Sequence, residues 1–156
     1  MEKRKPRIVL AKPGLDGHDK GIRLVSMALQ EAGFEVYYMG LRQTVDSIAK
    51  VAKEKDANFI GLSILSGVHL DVAAKMLDKI KEEGLRAKLV MGGVIPERDQ
   101  KLLLEMGVAQ VFPVETKFSY TNYWLMENCD AEAEEDEQQA VSAAEAVAKE
   151  LRAFAG

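Results

Sequence analysis

The chain reads as an α/β protein built on a doubly wound, five-stranded parallel sheet. Three observations predict that class. Apolar runs of strand length recur five times between Arg7 and Phe112. The first four are each followed by a segment whose apolar residues fall at helical spacing. The connections are short, and parallel neighbours joined this way need right-handed crossovers through helices, which then cover both faces of the sheet.

Arg7 to Ala11 is the first strand, and Asp19 to Ala32 follows as a helix with Ile22, Val25 and Leu29 on one face. Gly33 ends it where a helix stop is expected. Phe34 to Met39 is the second strand. Thr44 opens the second helix as an N-cap, with Ser47 three places on and Ile48, Val51 and Ala52 forming its apolar face. Asn58 to Leu65 is a β-branched, apolar third strand ending in Ser66-Gly67. His69 to Glu83 then carries Leu70, Ala73, Ala74, Leu77 and Ile80 at helical spacing, and Gly84 closes that helix. Ala87 to Met91 is the fourth strand, ending in Gly92-Gly93; Pro96 begins a helix that runs to Met106, and Ala109 to Phe112 is the fifth strand.

Five strands with this rhythm suggest the flavodoxin-like order, in which ligands bind at the carboxyl ends of the strands, near the point where strand order reverses. Gly14 to Gly21, Gly40 to Thr44, Ser63 to Gly67, Gly92-Gly93 and Pro113 to Thr116 all fall at those ends. Each glycine has a sufficient explanation as a turn or cap residue. Their common rim does not.

The chain divides into a core at 1–116, an aromatic and then acidic connection at 117–137, and an amphipathic helix at 138–156. With 156 residues and 47% hydrophobic content it can bury one core of ordinary size. A net charge of -4 argues against electrostatic binding to nucleic acid or to an acidic membrane surface. The basic start, Lys3, Arg4, Lys5 and Arg7, reads as a solvated terminus. No apolar stretch is long enough to span a bilayer, and no signal-peptide core follows the basic start, so the expected location is cytoplasmic. Cys129 is a single thiol without an internal disulfide partner. Lys117 to Asn128 holds Phe118, Tyr120, Tyr123 and Trp124, and the carboxylates from Asp130 to Glu137 lack calcium-loop spacing and read as a solvated linker. Val141, Ala144, Val147, Ala148, Leu151 and Phe154 make a helix face that either packs on its own domain or docks to a partner.

The strongest chemical signal is Lys12-Pro13-Gly14-Leu15-Asp16-Gly17-His18-Asp19-Lys20-Gly21, a glycine-rich passage from strand to helix. It carries one of two histidines, two residues after a carboxylate. A ligating imidazole gives one ring nitrogen to the metal, and its other N–H is held by a carboxylate or carbonyl that fixes the tautomer. His18 and Asp16 have the types and spacing for that pairing. His69 stands at a helix start, where capping or exposure is the expected role, and it is not assigned to a metal.

With this passage go three others in the same order: Gly40-Leu41-Arg42-Gln43-Thr44, Gly61-Leu62-Ser63-Ile64-Leu65-Ser66-Gly67 and Gly92-Gly93-Val94-Ile95-Pro96. Together with the Asp-x-His-x-x-Gly core of Asp16, His18 and Gly21, they resemble the cobalamin-binding domain of adenosylcobalamin-dependent acyl-CoA mutases, the methylmalonyl-CoA mutase family. The likeness runs from about Arg7 to Thr116. It implies a cobalamin-binding Rossmann-like domain in which His18 replaces the cofactor's own dimethylbenzimidazole as lower axial ligand of cobalt. The displaced nucleotide tail enters a slot between the sheet and a helix. The resemblance further implies that Asp16 hydrogen-bonds His18, that Lys12 supports Asp16, and that Gly17, Asp19, Gly21, Ser63, Leu65, Gly67, Gly92, Gly93 and Thr116 surround the cofactor. One departure is visible. The family's Phe-Gly-Pro-Gly-Thr turn is here Phe112-Pro113-Val114-Glu115-Thr116.

By the same likeness the chain is the small subunit of a two-component isomerase. A large catalytic acyl-CoA mutase subunit then supplies the barrel and the acyl-CoA site, for a methylmalonyl-, isobutyryl- or 2-hydroxyisobutyryl-CoA type of substrate. Adenosylcobalamin supplies radical chemistry through homolysis of its cobalt–carbon bond. Two other functions use the same loop: a corrinoid carrier protein for methyl transfer, and a non-catalytic cobalamin-binding module. Methyl carriers generally have a helical bundle before this domain, for which a first strand starting at Arg7 leaves no room.

Overall fold

The computed structural model describes residues 5–13, 20–64 and 68–129. The acidic run and the amphipathic segment at 138–156 lie outside them. Ten elements alternate along the chain: β1 (Arg7–Pro13), α1 (Lys20–Glu31), β2 (Glu35–Gln43), α2 (Val45–Lys55), β3 (Phe59–Ile64), α3 (His69–Glu83), β4 (Lys88–Gly93), α4 (Glu97–Met106), β5 (Gln110–Pro113) and α5 (Phe118–Asn128). The strands pair in the order β2-β1-β3-β4-β5, all parallel. This is the flavodoxin-like order that the strand–helix rhythm predicts, with its switch point between β1 and β3.

Alternation along the strands sends successive side chains to opposite faces. Val9, Ile60, Leu62, Leu89 and Met91 pack with Ile48 and Ala52 of α2, Ala73 and Met76 of α3 and Leu103 of α4. On the other face Ile8, Leu10, Phe59, Val90 and Phe112 pack with Ile22 and Leu29 of α1 and Leu125 of α5. The interior strand β1 is therefore buried almost throughout.

Local signals set the boundaries. Thr44 caps α2 with a reciprocal pair: the Ser47 backbone N–H donates to Thr44 Oγ1 at 3.0 Å, and the Thr44 N–H donates to Ser47 Oγ at 3.0 Å. Such a cap is worth about 1 kcal/mol. Gly84 ends α3 with φ 65, the left-handed conformation that glycine adopts without penalty.

Three boundaries differ from the sequence expectation. β2 continues to Gln43 because two register irregularities, opposite Leu10/Ala11 and Lys12/Pro13, take up extra residues; Gly40 (φ 87) and Arg42 (φ 57) supply the turn of the backbone there. The ladder of β4 runs past Met91, with Gly92 and Gly93 as its last two rungs, paired with Ser63 and Ile64. The stretch expected to be an aromatic connection is helix α5. Its apolar residues are distributed around the helix instead of along one stripe, which hides the helical period.

Helix α5 is part of the core. Trp124 lies edge-on to Phe112 at 5.8 Å and tilted on Phe59 at 6.2 Å, while Tyr120 meets Phe112 at 6.3 Å. Asn122 Nδ2 donates to the Ala28 carbonyl of α1, and Lys88 Nζ donates to the Asn128 carbonyl at 2.8 Å. Leu125 is 1% exposed. Truncation by Leu125→Ala is expected to lower unfolding stability by about 2–5 kcal/mol in a urea titration; a solvated connection would lose almost nothing.

Candidate functional site

On the face covered by α1 and α5, β3 and β4 carry large side chains at their amino ends and small ones at their carboxyl ends. In β3 the sequence along this face runs Phe59, Gly61, Ser63, and in β4 it runs Val90, Gly92. Phe59, Val90, Phe112 and Trp124 fill the lower half. Above them is a cavity of about 310 Å³. Its floor includes Leu10, Gly61, Ser63, Gly92 and Gly93, and its walls are Gly21, Ile22 and Val25 of α1, Thr121 and Leu125 of α5, and Pro113, Val114 and Thr116 of the last turn. The volume is at the lower end of small-molecule sites, and the walls are mostly apolar with a few hydroxyl groups.

The glycines on this rim do different jobs. A Cβ on Gly93, which has φ +125, would overlap the Ile64 carbonyl oxygen, so β3 and β4 approach there more closely than any other residue permits. At Gly92 a Cβ would lie 3.2 Å from the Phe112 carbonyl oxygen, and at Gly61 2.7 Å from Leu10 Cδ2. Gly21 is unlike these. A Cβ there meets no protein atom within 4 Å, so its missing side chain leaves space that no other part of the described protein takes up.

Gly21, Ser63, Gly92, Gly93 and Thr116, assigned from four separate segments, thus border one cavity. Lys12 does not line it. Lys12 is only 2% exposed at the end of β1, shares a strand face with Ile8 and Leu10 by the period of two, and is not without a partner. An ammonium removed from water to this degree requires compensation. Asp16, Gly17, His18, Asp19, Leu65 and Gly67 lie outside the described residues.

The glycine-free turn after β5 closes without difficulty. The Thr116 N–H donates to the Pro113 carbonyl at 2.8 Å, and neither Val114 nor Glu115 needs a positive φ. Sequence reasoning missed Gly61 as a floor residue, although glycine inside a strand signals close approach. It also missed the contribution of α5, for the reason given above.

His69 departs from expectation. It is neither exposed nor a cap: it is 5% exposed, and its Nε2 lies 2.7 Å from Asp99 Oδ2. The cap position of α3 is Val68, without a side-chain cap bond. Among the described residues no group of three or more His, Cys, Asp or Glu side chains could hold a metal ion, and no helix is long and apolar enough to cross a membrane.

Comparisons with known proteins agree on the class of ligand. A family model described as "B12 binding domain" matches residues 6–117. The 2-hydroxyisobutanoyl-CoA mutase small subunit of Aquincola tertiaricarbonis is 38% identical over 117 residues, covering 74% of this chain and 86% of that protein. The pivalyl-CoA mutase small subunit of Xanthobacter autotrophicus is 41% identical over 107 residues, 68% of this chain and 72% of that one. Ethylmalonyl-CoA mutase of Methylorubrum extorquens is 43% identical over 108 residues, 69% of this chain but only 16% of that much longer protein. Among solved structures, a cobalamin-binding protein of Desulfitobacterium hafniense superposes with a TM-score of 0.66 at 28% identity, over 77% of this chain and 59% of that one.

The close approach of β3 and β4 yields a direct test. Gly93→Ala is expected to cost about 3 kcal/mol of unfolding stability, from backbone strain and overlap together. Chemical denaturation of the two proteins checks it, and an unchanged midpoint would show that the strands can part at no cost.

Proposed function

Because the chain belongs to the B12 binding domain family, we propose that it is the cobalamin-binding small subunit of a two-component acyl-CoA mutase, an isomerase that works in the cytoplasm with a separate large subunit. The observation that carries this reading is the open, glycine-floored cavity at the carboxyl ends of β3 and β4. Its residues fit a flat, aromatic nucleotide tail. The walls are apolar, the floor has almost no side chains, and Ser63, Thr116 and Thr121 offer hydroxyl groups to polar atoms. The small-subunit relatives support the division of labour, since this chain matches most of their length.

In this reading adenosylcobalamin binds with its own base off the metal. When bound it supplies radical chemistry through a labile cobalt–carbon bond. His18 would hold the cobalt from below through one ring nitrogen, the one donor the protein would need to supply. Asp16 accepts the other ring N–H of His18, fixing its tautomer and direction and raising its donor strength. Lys12, buried at the end of β1, supports Asp16 as a counter-charge. Gly17 and Asp19 flank the ligand and give the corrin face room. Gly21, Ser63, Leu65, Gly67, Gly92, Gly93 and Thr116 receive the tail. The chain's task is to hold and orient the cofactor and to present its upper face to the partner. The large subunit binds the acyl-CoA substrate and contains the radical.

Two variants separate the ligand from the slot. His18→Ala is expected to weaken cobalamin binding and to remove the absorption signature of histidine ligation; full affinity with an unchanged spectrum would refute the assignment. Gly21→Leu is expected to leave folding stability equal or higher, because glycine is a poorer helix residue by about 1 kcal/mol. By filling space the tail needs, it is expected to weaken cobalamin binding about tenfold in a titration followed by absorption. Unchanged binding would place the tail elsewhere.

A further inference from the structure

On the face of the sheet opposite the cavity, His69 and Asp99 form a pair between the first turns of α3 and α4. The Nε2–Oδ2 distance is 2.7 Å, and the residues are 5% and 8% exposed. Neither lines the cavity. Neither touches a third side chain of metal-ligating type among the described residues, so the pair is not an ion site. The ring is also incompletely satisfied: Nδ1 is buried and has no hydrogen-bond partner among the described residues. A buried polar pair with one orphaned atom costs free energy that two well-packed apolar residues would not. What a polar pair adds is direction and a fixed distance.

The position of the pair shows what that distance governs. Ile64 and Gly93 are the last paired residues of β3 and β4, at the close approach described above. Five residues after Ile64 comes His69, and six after Gly93 comes Asp99. The two strand ends that carry Ser63 and Gly92 into the cavity floor meet at the glycine contact, and the helices that follow them are joined at their first turns by His69–Asp99. Val68 and Pro96 make no side-chain cap bond, and the Gln100 side chain bonds only within its own segment, to the Ile95 carbonyl, so none of them joins the two helix starts. Asp99 sits in the first turn of α4, where a carboxylate is favoured by the free N–H groups. Arg98 Nε lies 3.7 Å from the other Asp99 oxygen but is largely solvent-exposed, so His69 is the principal partner.

We propose that His69 and Asp99 are positioning residues for the cofactor tail, holding the carboxyl ends of β3 and β4 at the separation that keeps the cavity open. This rests on the cobalamin-binding reading above. The pair acts on the tail slot alone, so the consequence is selective. Affinity for complete cobalamin depends on the tie, whereas affinity for cobinamide, the corrinoid without the nucleotide tail, does not.

The experiment titrates the full chain with cobalamin and with cobinamide. The proteins are wild type, His69→Ala, Asp99→Asn, and the double replacement His69→Leu with Asp99→Ala, which leaves no buried charge and keeps the protein foldable should His69→Ala fail. Asp99→Asn retains an acceptor for Nε2–H and is expected to behave as wild type. The single alanine variant and the double variant are expected to bind cobalamin about tenfold more weakly while binding cobinamide as before. Equal loss for both ligands would reduce the pair to a general structural role and overturn the proposal, as would no loss for either. If wild type itself failed to prefer cobalamin over cobinamide, the tail-slot reading would fall first, an outcome distinguishable from failure of the pair alone.

Discussion

The constraint on which this structure depends is the absence of side chains at the carboxyl ends of two neighbouring strands. A parallel sheet covered on both faces is ordinarily filled to crystal-like density. Here Gly61, Ser63 and Gly92 replace the bulky residues that continue the column below them, and Gly93 lets β3 and β4 close to a distance that any Cβ would prevent. An apolar void of this kind costs stability, because its lining loses dispersion contacts. The lower half offsets that cost with Trp124 packed against both Phe59 and Phe112.

The two faces of the sheet divide the work. α1 and α5 wall the cavity, one with Gly21 at its start and the other with Thr121 and Leu125. α2, α3 and α4 carry the larger apolar core on the opposite face, together with the buried His69–Asp99 pair. The side with the cavity is thus loosely filled, while the opposite side is tightly packed. Ligand sites in open α/β sheets form at the carboxyl ends of the strands, and this cavity follows that rule over the ends of β3 and β4.

The fold was legible because its signals are local: five apolar runs, glycines at helix ends, and the Thr44/Ser47 cap. The cavity floor was legible in part, since Ser63, Gly92 and Gly93 stand in motifs of known character. Other features were hidden because they are properties of space, not of sequence neighbourhood. The period of α5 is obscured because its apolar residues are spread around the helix, with Tyr120 and Trp124 meeting the sheet while Asn122 bonds to α1. The continuation of β2 past Gly40 depends on register with β1, which sequence alone does not express. His69 and Asp99 are 30 residues apart, and nothing in either segment announces the other.

In the proposed function the cavity and His18 go together: the cavity would receive the cofactor's base, and the His18 imidazole would bind cobalt in its place. Electron paramagnetic resonance of the chain loaded with cob(II)alamin, after all histidines are labelled with ¹⁵N, observes that exchange at the metal. A ligating protein nitrogen of spin one-half splits each cobalt line into a doublet, and this is the expected spectrum. Triplets from the spin-one nitrogen of the cofactor's own unlabelled base would show that the base never left the metal, and would contradict the role assigned to His18.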